Sequence, residues 1–259
     1  MTRTPQSHEL AHFLAGLQLT NLPAGAPELL KLCLLDTIGC ALGGHNTEAG
    51  KVTKRYLKRV GNSGSCTVIG STSGAAPEVA ALTNGVLAHA LVFDDLHRHA
   101  KLHPGVATIP AALAAAELIN ASGEAFLLAI AAGYETAARV GVAIDMASHR
   151  QKGWRATGTA GSFGAAAAAA RVFNLPAEAF HHALAAAAAQ ASGNWAFQQS
   201  GGMELYRNDS DEKVMFLRPC LGEAGDEVDR IPRGTKGRAN LPDQRRPKRG
   251  GFAEAGYLR

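Results

Sequence analysis

The densest information about fold lies in the alanine-rich runs. Residues 161–171 read Gly-Ser-Phe-Gly, six alanines and an arginine. Alanine is the best helix former and has almost no side chain, so such a segment predicts a central helix that other helices approach closely. Alanine-rich stretches recur at 109–119 and 177–190. Hydrophobic residues make up 46% of the 259 residues but aromatics only 6%, which favours tightly packed helices over a β-sandwich. The runs share no fixed period and predict no repeat array. The expected fold class is all-α, in one large domain or two small ones.

Local signals divide the chain into helices joined by short turns. Residues 8–17 place Leu10, Phe13, Leu14 and Leu17 on one face. Pro27-Glu28 opens a helix that Gly43-Gly44 stops, since proline suits a first turn and glycine a C-terminal end. Further helices are expected over 51–60, 78–91, 109–119, 125–142, 161–171 and from Leu175 to about Gln190. Ser65 to Ile69 is the one short strand candidate, and 148–158 reads as a polar loop around Trp154.

Between the helices 78–91 and 109–119 lies an unusual concentration of titratable groups. Asp94-Asp95 is followed by His97, Arg98, His99, Lys101 and His103 before Pro104-Gly105. Such groups between two buried helices are costly unless they face a cleft, so the stretch is expected to wall an active site. Adjacent carboxylates do not share a helix face. One of Asp94 and Asp95 is therefore expected in the cleft as a general base, the other capping or pairing with Arg98. A solvated acidic pair is the plainer reading. His103, followed by a rigid proline, is the best general acid/base, set against an ordinary loop histidine. His89, inside an apolar helix, reads as a hydrogen-bonded core residue before a catalyst. A metal cluster of His97, His99, His103 and Asp95 is a weaker alternative. Lys152 and Arg155 are candidate clamps for a substrate carboxylate, and Thr157 a hydroxyl contact, with surface charge and helix packing as their structural alternatives.

Cys33 and Cys40 lie seven apart on one apolar helix, and no cysteine has metal-type spacing, so buried free thiols are expected. No signal-peptide pattern and no unbroken apolar run of spanning length occurs, which predicts no membrane association and a cytoplasmic location. The net charge of +4 comes mainly from the C-terminal end. From about Leu205 the alanine helices give way to Arg, Pro, Gly and Lys. Residues 205–259 are expected to form a divergent, basic, disordered tail beyond a helical domain of residues 1–204. Arg245-Arg246-Pro247-Lys248-Arg249 lacks interleaved aromatics, so no specific nucleic-acid binding is expected. A natural tail and a changed reading frame are both compatible with the break.

Four ordered segments give this chain a family likeness. They are Asn84-Gly85 with His89-Ala90, Phe93-Asp94-Asp95 and His103-Pro104; Gly133-Tyr134-Glu135 with Arg139; Gly153 to Thr159 with Gly161 and Gly164-Ala165-Ala166; and Ala191-Ser192-Gly193 before Trp195. In these the chain resembles the N-terminal helical portion of the MmgE/PrpD family, which includes 2-methylcitrate dehydratase, cis-aconitate decarboxylase and iminodisuccinate epimerase. The resemblance implies a multi-helix domain, with the α/β lid domain missing here. It also implies a homodimer and lyase chemistry on a small di- or tricarboxylate without a metal or organic cofactor. Departures accompany it. Val92 stands where many members have an acid, Leu96 where they have threonine, and Arg155 where they have histidine. Glu204-Leu205-Tyr206 follows Met203 where a lysine is usual. The expected function is therefore dehydratase-like proton abstraction and water elimination on 2-methylcitrate or a relative. An inactive remnant and a helical dimerisation module are the alternatives.

Overall fold

The computed structural model describes residues 6–60 and 63–193. Among these residues every regular element is helical. In order they are α1 (Gln6–Ala15), a 3-10 turn (Leu19–Asn21), α2 (Ala26–Gly44), α3 (Glu48–Val60), α4 (Pro77–His89), α5 (Gly105–Ile119), α6 (Gly123–Ala143), α7 (Met146–Gln151), α8 (Ala156–Val172) and α9 (Ala177–Gln190). The tail expected after residue 204 lies outside the described residues.

The alanine run lies in α8, packed against α5, α6 and α9. Small residues make this possible. A Cβ on Gly133 of α6 would come within 2.7 Å of the Gly164 carbonyl of α8, and one on Gly164 within 2.9 Å of Thr108 Oγ1 of α5. The α6 and α8 backbones therefore meet where side chains are absent, with the Thr108 side chain of α5 against both glycines. The main core continues from there through Ile109, Leu128, Ile130, Phe180 and Leu184 to Leu14 and Leu17 near α1. Arg171 Nη2 donates to the Leu17 carbonyl over 2.8 Å and ties the two ends of this layer.

Most helix limits follow the expected capping. Gly44 ends α2, and Ser122 Oγ caps α6 by accepting from the Ala125 N–H at 3.2 Å. Four local expectations change. The 65–69 segment makes only the isolated bridge Cys66–Ala75 and no strand. Asn84 substitutes for a neighbouring strand, its Oδ1 accepting from Ile69 N and its Nδ2 donating to the Thr67 carbonyl, both at 2.8 Å. Helix α5 starts at Gly105 and carries Pro110 inside it, so the chain is already helical directly after His103-Pro104. The polar loop 148–158 instead takes in the last residues of the short helix α7 and the start of α8. Phe13, expected on the buried face of α1, is exposed.

Helix α6 is long and apolar enough by composition to span a membrane, but most of its residues are buried within this fold, as in a core helix. Glu135 on it is fully buried and pairs with Arg139 one turn on, so this pair is a structural ion pair. Cys33, Cys40 and Cys66 are free thiols. On the outer side of α2, Leu29, Leu32, Leu35 and Leu42 form an exposed apolar stripe.

Candidate functional site

The site is made by a chain reversal at the end of α4. His89 is the last residue of that helix. Val92 adopts a left-handed conformation, φ 51°, with its N–H donating to the His89 carbonyl over 3.0 Å. The chain turns back, and Asp94 comes under the ring of His89. A second small turn follows. His97 N donates to the Leu102 carbonyl at 2.9 Å, Ala100 N donates to His97 Nδ1 at 3.0 Å, and Lys101 has φ 49°. That closed turn returns His103 to Asp94.

Asp94 is the centre of the cluster. Its side chain is 0% exposed, whereas the side chain of His103 is 17% exposed. His89 Nδ1 lies 2.9 and 3.0 Å from the two carboxylate oxygens of Asp94. His103 Nδ1 lies 3.2 Å from Asp94 Oδ2 and 3.2 Å from the Asp94 carbonyl. The His103 N–H donates to Thr157 Oγ1 of α8 over 3.1 Å. Arg155, at the N-cap position of α8 and buried, brings Nη2 onto His89 Nε2.

Electrostatics divide the two aspartates. Burial alone would raise the Asp94 carboxyl, but hydrogen bonds from His103 and His89 outweigh it and hold the group well below the ordinary carboxylate range. Burial also opposes charge on His103, yet Asp94 overcomes it and raises the imidazole above its usual value against the pull of Arg155. Asp95 is different. Burial pushes it up to about 6, with Asp94 adding to the rise and hydrogen bonds from Tyr134 and the Gly105 N–H opposing it. Gly105 N donates to Asp95 Oδ1 over 3.1 Å. A Cβ on Gly105 would stand 2.6 Å from both Asp95 Oδ1 and Tyr134 Oη, so glycine is what lets these groups converge. Burial, then the charge of Asp95, raises Tyr134 far above its ordinary value. The Asp95 N–H donates to Asp36 Oδ2 of α2 over 3.1 Å.

The expected site residues thus fall into separate groups. Asp94, His103 and Thr157 are joined by hydrogen bonds, and Arg155 reaches them through His89. Asp95 diverges from Asp94 as adjacent residues should. Its partners are Gly105 and Tyr134, while Arg98, expected to pair with one of the acids, is exposed. Lys152 follows α7 with its side chain exposed and takes no part in these hydrogen bonds. The residues whose roles the sequence understated are His89 and Tyr134. The separation of five between His89 and Asp94 across a helix end was the available signal, since a reversal there brings them together.

The metal alternative of His97, His99, His103 and Asp95 is not assembled. Burial and the neighbouring His99 lower the imidazole of His97, whose Nδ1 is engaged by Ala100. The possible ligand atoms drawn within 4.8 Å of one another are instead those of His89, Asp94 and His103. Donor chemistry makes them a poor cation site. A guanidinium only donates, so the His89 nitrogen facing Arg155 must accept, which leaves the proton on the nitrogen facing Asp94. A cation there would displace that proton and face the Arg155 charge.

A half-open cavity of about 240 Å³ lies over α5 between α4 and α8. Leu82, Val106, Ala111, Thr157 and Ala165 are among its lining residues. It is mainly apolar and meets the polar cluster only at Thr157.

The MmgE/PrpD N-terminal domain model matches residues 8–207. The chain belongs to the MmgE/PrpD family. Its similarity extends to individual members of that family. It is 33% identical over 208 residues to the cis-aconitate decarboxylase-like protein oryM of Aspergillus oryzae, covering 76% of this chain and 43% of that protein. It is 29% identical over 225 residues to cis-aconitate decarboxylase of Aspergillus terreus, covering 85% and 46%. The human cis-aconitate decarboxylase is 30% identical over 190 residues, covering 71% and 39%. The chain therefore spans less than half the length of these MmgE/PrpD relatives.

Proposed function

We propose that this chain carries the helical wall of a lyase site for a small tricarboxylate, and that His103 exchanges the proton. The observation supporting this is the hydrogen-bonded group of Asp94, His103 and Thr157, in which His103 alone combines a raised imidazole with an exposed edge. The names of the relatives favour an unsaturated substrate of the cis-aconitate type over 2-methylcitrate. In decarboxylation, the bond between carboxylate carbon and substrate carbon breaks, carbon dioxide leaves, and the electron pair moves into the adjacent unsaturated system. His103 then delivers one proton to carbon and becomes neutral. In the dehydration alternative the same nitrogen takes a proton from carbon, and water leaves with a proton from a second acid. Asp94 stays ionised in both. Of the two cations expected to hold substrate, Arg155 is turned onto His89, and the exposed Lys152 remains the one placed to contribute positive charge toward a substrate carboxylate.

Incubation of the chain with cis-aconitate, citrate and 2-methylcitrate, followed by NMR of the products and carbon dioxide release, tests this. Turnover of cis-aconitate, reduced at least ~100-fold by His103→Gln, is expected. No consumption of any of the three would refute it. Exposed Leu96 at a position that is polar in many members supports a second reading, carboxylate binding without turnover. Saturable binding of tricarboxylates with no product would select that reading. A homodimer covering Leu29, Leu32 and Leu35 of α2 belongs to the same proposal, and sedimentation equilibrium at micromolar concentration tests it.

A further inference from the structure

We propose that Arg155 and His89 are positioning residues that fix the tautomer of His103, leaving its Nε2 as the atom that takes and gives the proton. The inference rests on the reading of His103 as the proton-transfer group, but its physical content stands on the hydrogen bonds alone.

The protonation pattern can be assigned from one end. A guanidinium has five N–H donors and no acceptor. Arg155 Nη2 faces His89 Nε2, so that nitrogen must present its lone pair. The proton of His89 is then on Nδ1, pointing at Asp94 at 2.9 and 3.0 Å. An ionised Asp94 can only accept. Its Oδ2 and its backbone carbonyl, both acceptors, each lie 3.2 Å from His103 Nδ1. His103 Nδ1 therefore carries hydrogen in both the neutral and the charged ring. Only Nε2 changes state, as acceptor when the ring is neutral and donor when it is charged.

Without Arg155, the His89 ring could place its proton on either nitrogen. With Nδ1 bare, two acceptors would face each other across less than 3.1 Å, and relief would come from protonating or turning Asp94. The constraint on His103 would then weaken. This gives the arginine at position 155 a task distinct from gripping substrate. It acts on the substrate-facing histidine through His89 and Asp94, from a position fixed by the start of α8. Thr157, two residues along the same helix, holds the backbone of His103 over 3.1 Å. One helix N-terminus therefore supplies both the orientation and the protonation pattern of the same residue.

The experiment is long-range proton–nitrogen NMR of the labelled full chain, above the pH at which His103 titrates. Neutral His103 and His89 are both expected as Nδ1–H tautomers, each by roughly 10:1 or more. In Arg155→Met the His89 ratio should move toward 1:1 and that of His103, still facing the Asp94 carbonyl, should fall to a smaller extent; Arg155→Lys, which also can only donate, should restore both. A native His103 carrying its proton on Nε2 overturns the inference, and this spectrum decides even if Arg155→Met fails to fold. Unchanged tautomers in folded Arg155→Met overturn it as well. In the lyase assay, Arg155→Met should lower kcat about 100-fold or more with little change in KM, as a mispositioned tautomer does elsewhere. Tautomer order without turnover would reject the lyase reading alone; turnover with the opposite His103 tautomer would reject this inference alone.

Discussion

The backbone N–H of Gly105 donates to Asp95 Oδ1 over 3.1 Å, so the first residue of α5 is tied to the acid that follows Asp94. The contact holds both ends of the segment that carries His103. It also lies in a buried region, and that gives it a pH signature. Asp95 is pushed up to about 6, above the ordinary carboxylate range, so the folded chain binds its proton more tightly than the unfolded chain. Stability from this group is greatest below pH 4 and falls as pH rises through about 6. Asp95→Asn retains the acceptor but not the titration. Urea unfolding at several pH values should show the native chain losing on the order of 1–3 kcal/mol relative to this variant between pH 4 and 7. Parallel pH profiles would contradict the assignment.

Asp94 has the opposite sign. Its carboxyl is held low, so its stabilisation is present above pH 4 and is lost as pH falls below that value. The matching contribution from His103 is present below pH 6.5 and is lost as pH rises through its raised folded value. Asp94→Asn removes the carboxylate's attraction and leaves the backbone carbonyl at that position to oppose burial and Arg155 at His103. NMR titration should place His103 above the ordinary histidine value in the native chain and clearly lower in the variant. The variant should also lose about 3 kcal/mol of stability in denaturant titration, since a buried pair has been broken.

Val92 is a β-branched residue at φ 51°, a conformation that disfavours branching. Val92→Asn, which tolerates that region, should raise stability by about 1 kcal/mol in chemical denaturation. An unchanged midpoint would show that the packing of the valine side chain offsets its backbone cost.

The crossing of α6, α5 and α8 depends on absent side chains. Gly133→Ala places a methyl group against the Thr108 Cγ2 methyl and against the Gly164 carbonyl at 2.7 Å. Because one of these obstacles is backbone and the other a buried branched side chain, the helices must separate, and a loss of about 2–3 kcal/mol is expected. Gly161→Ala meets only the Ala107 Cβ at 3.1 Å and should cost less than half as much. Thermal unfolding of both variants gives the comparison, and equal losses would argue against backbone contact as the cause.

The sequence by itself determined the helical fold class, because alanine propensity and capping residues act over a few neighbours. Gly44 and Ser122 mark helix ends for that reason. It also marked Asp94, His103 and Thr157 as site candidates, through an unusual density of titratable groups and four ordered motifs. It could not decide how those groups are shared. Whether Ser65 to Ile69 becomes a strand depends on Asn84, and the partner of Asp95 is a tyrosine on α6 rather than Arg98. Arg155 meets His89 only because α8 begins beside the end of α4, 66 residues earlier. Those outcomes are set by packing between distant segments, where burial and the obligation of each donor to find an acceptor select the partners. Only the tertiary structure could therefore show that Asp94 and Asp95, identical and adjacent in sequence, are driven to opposite sides of the ordinary carboxylate range.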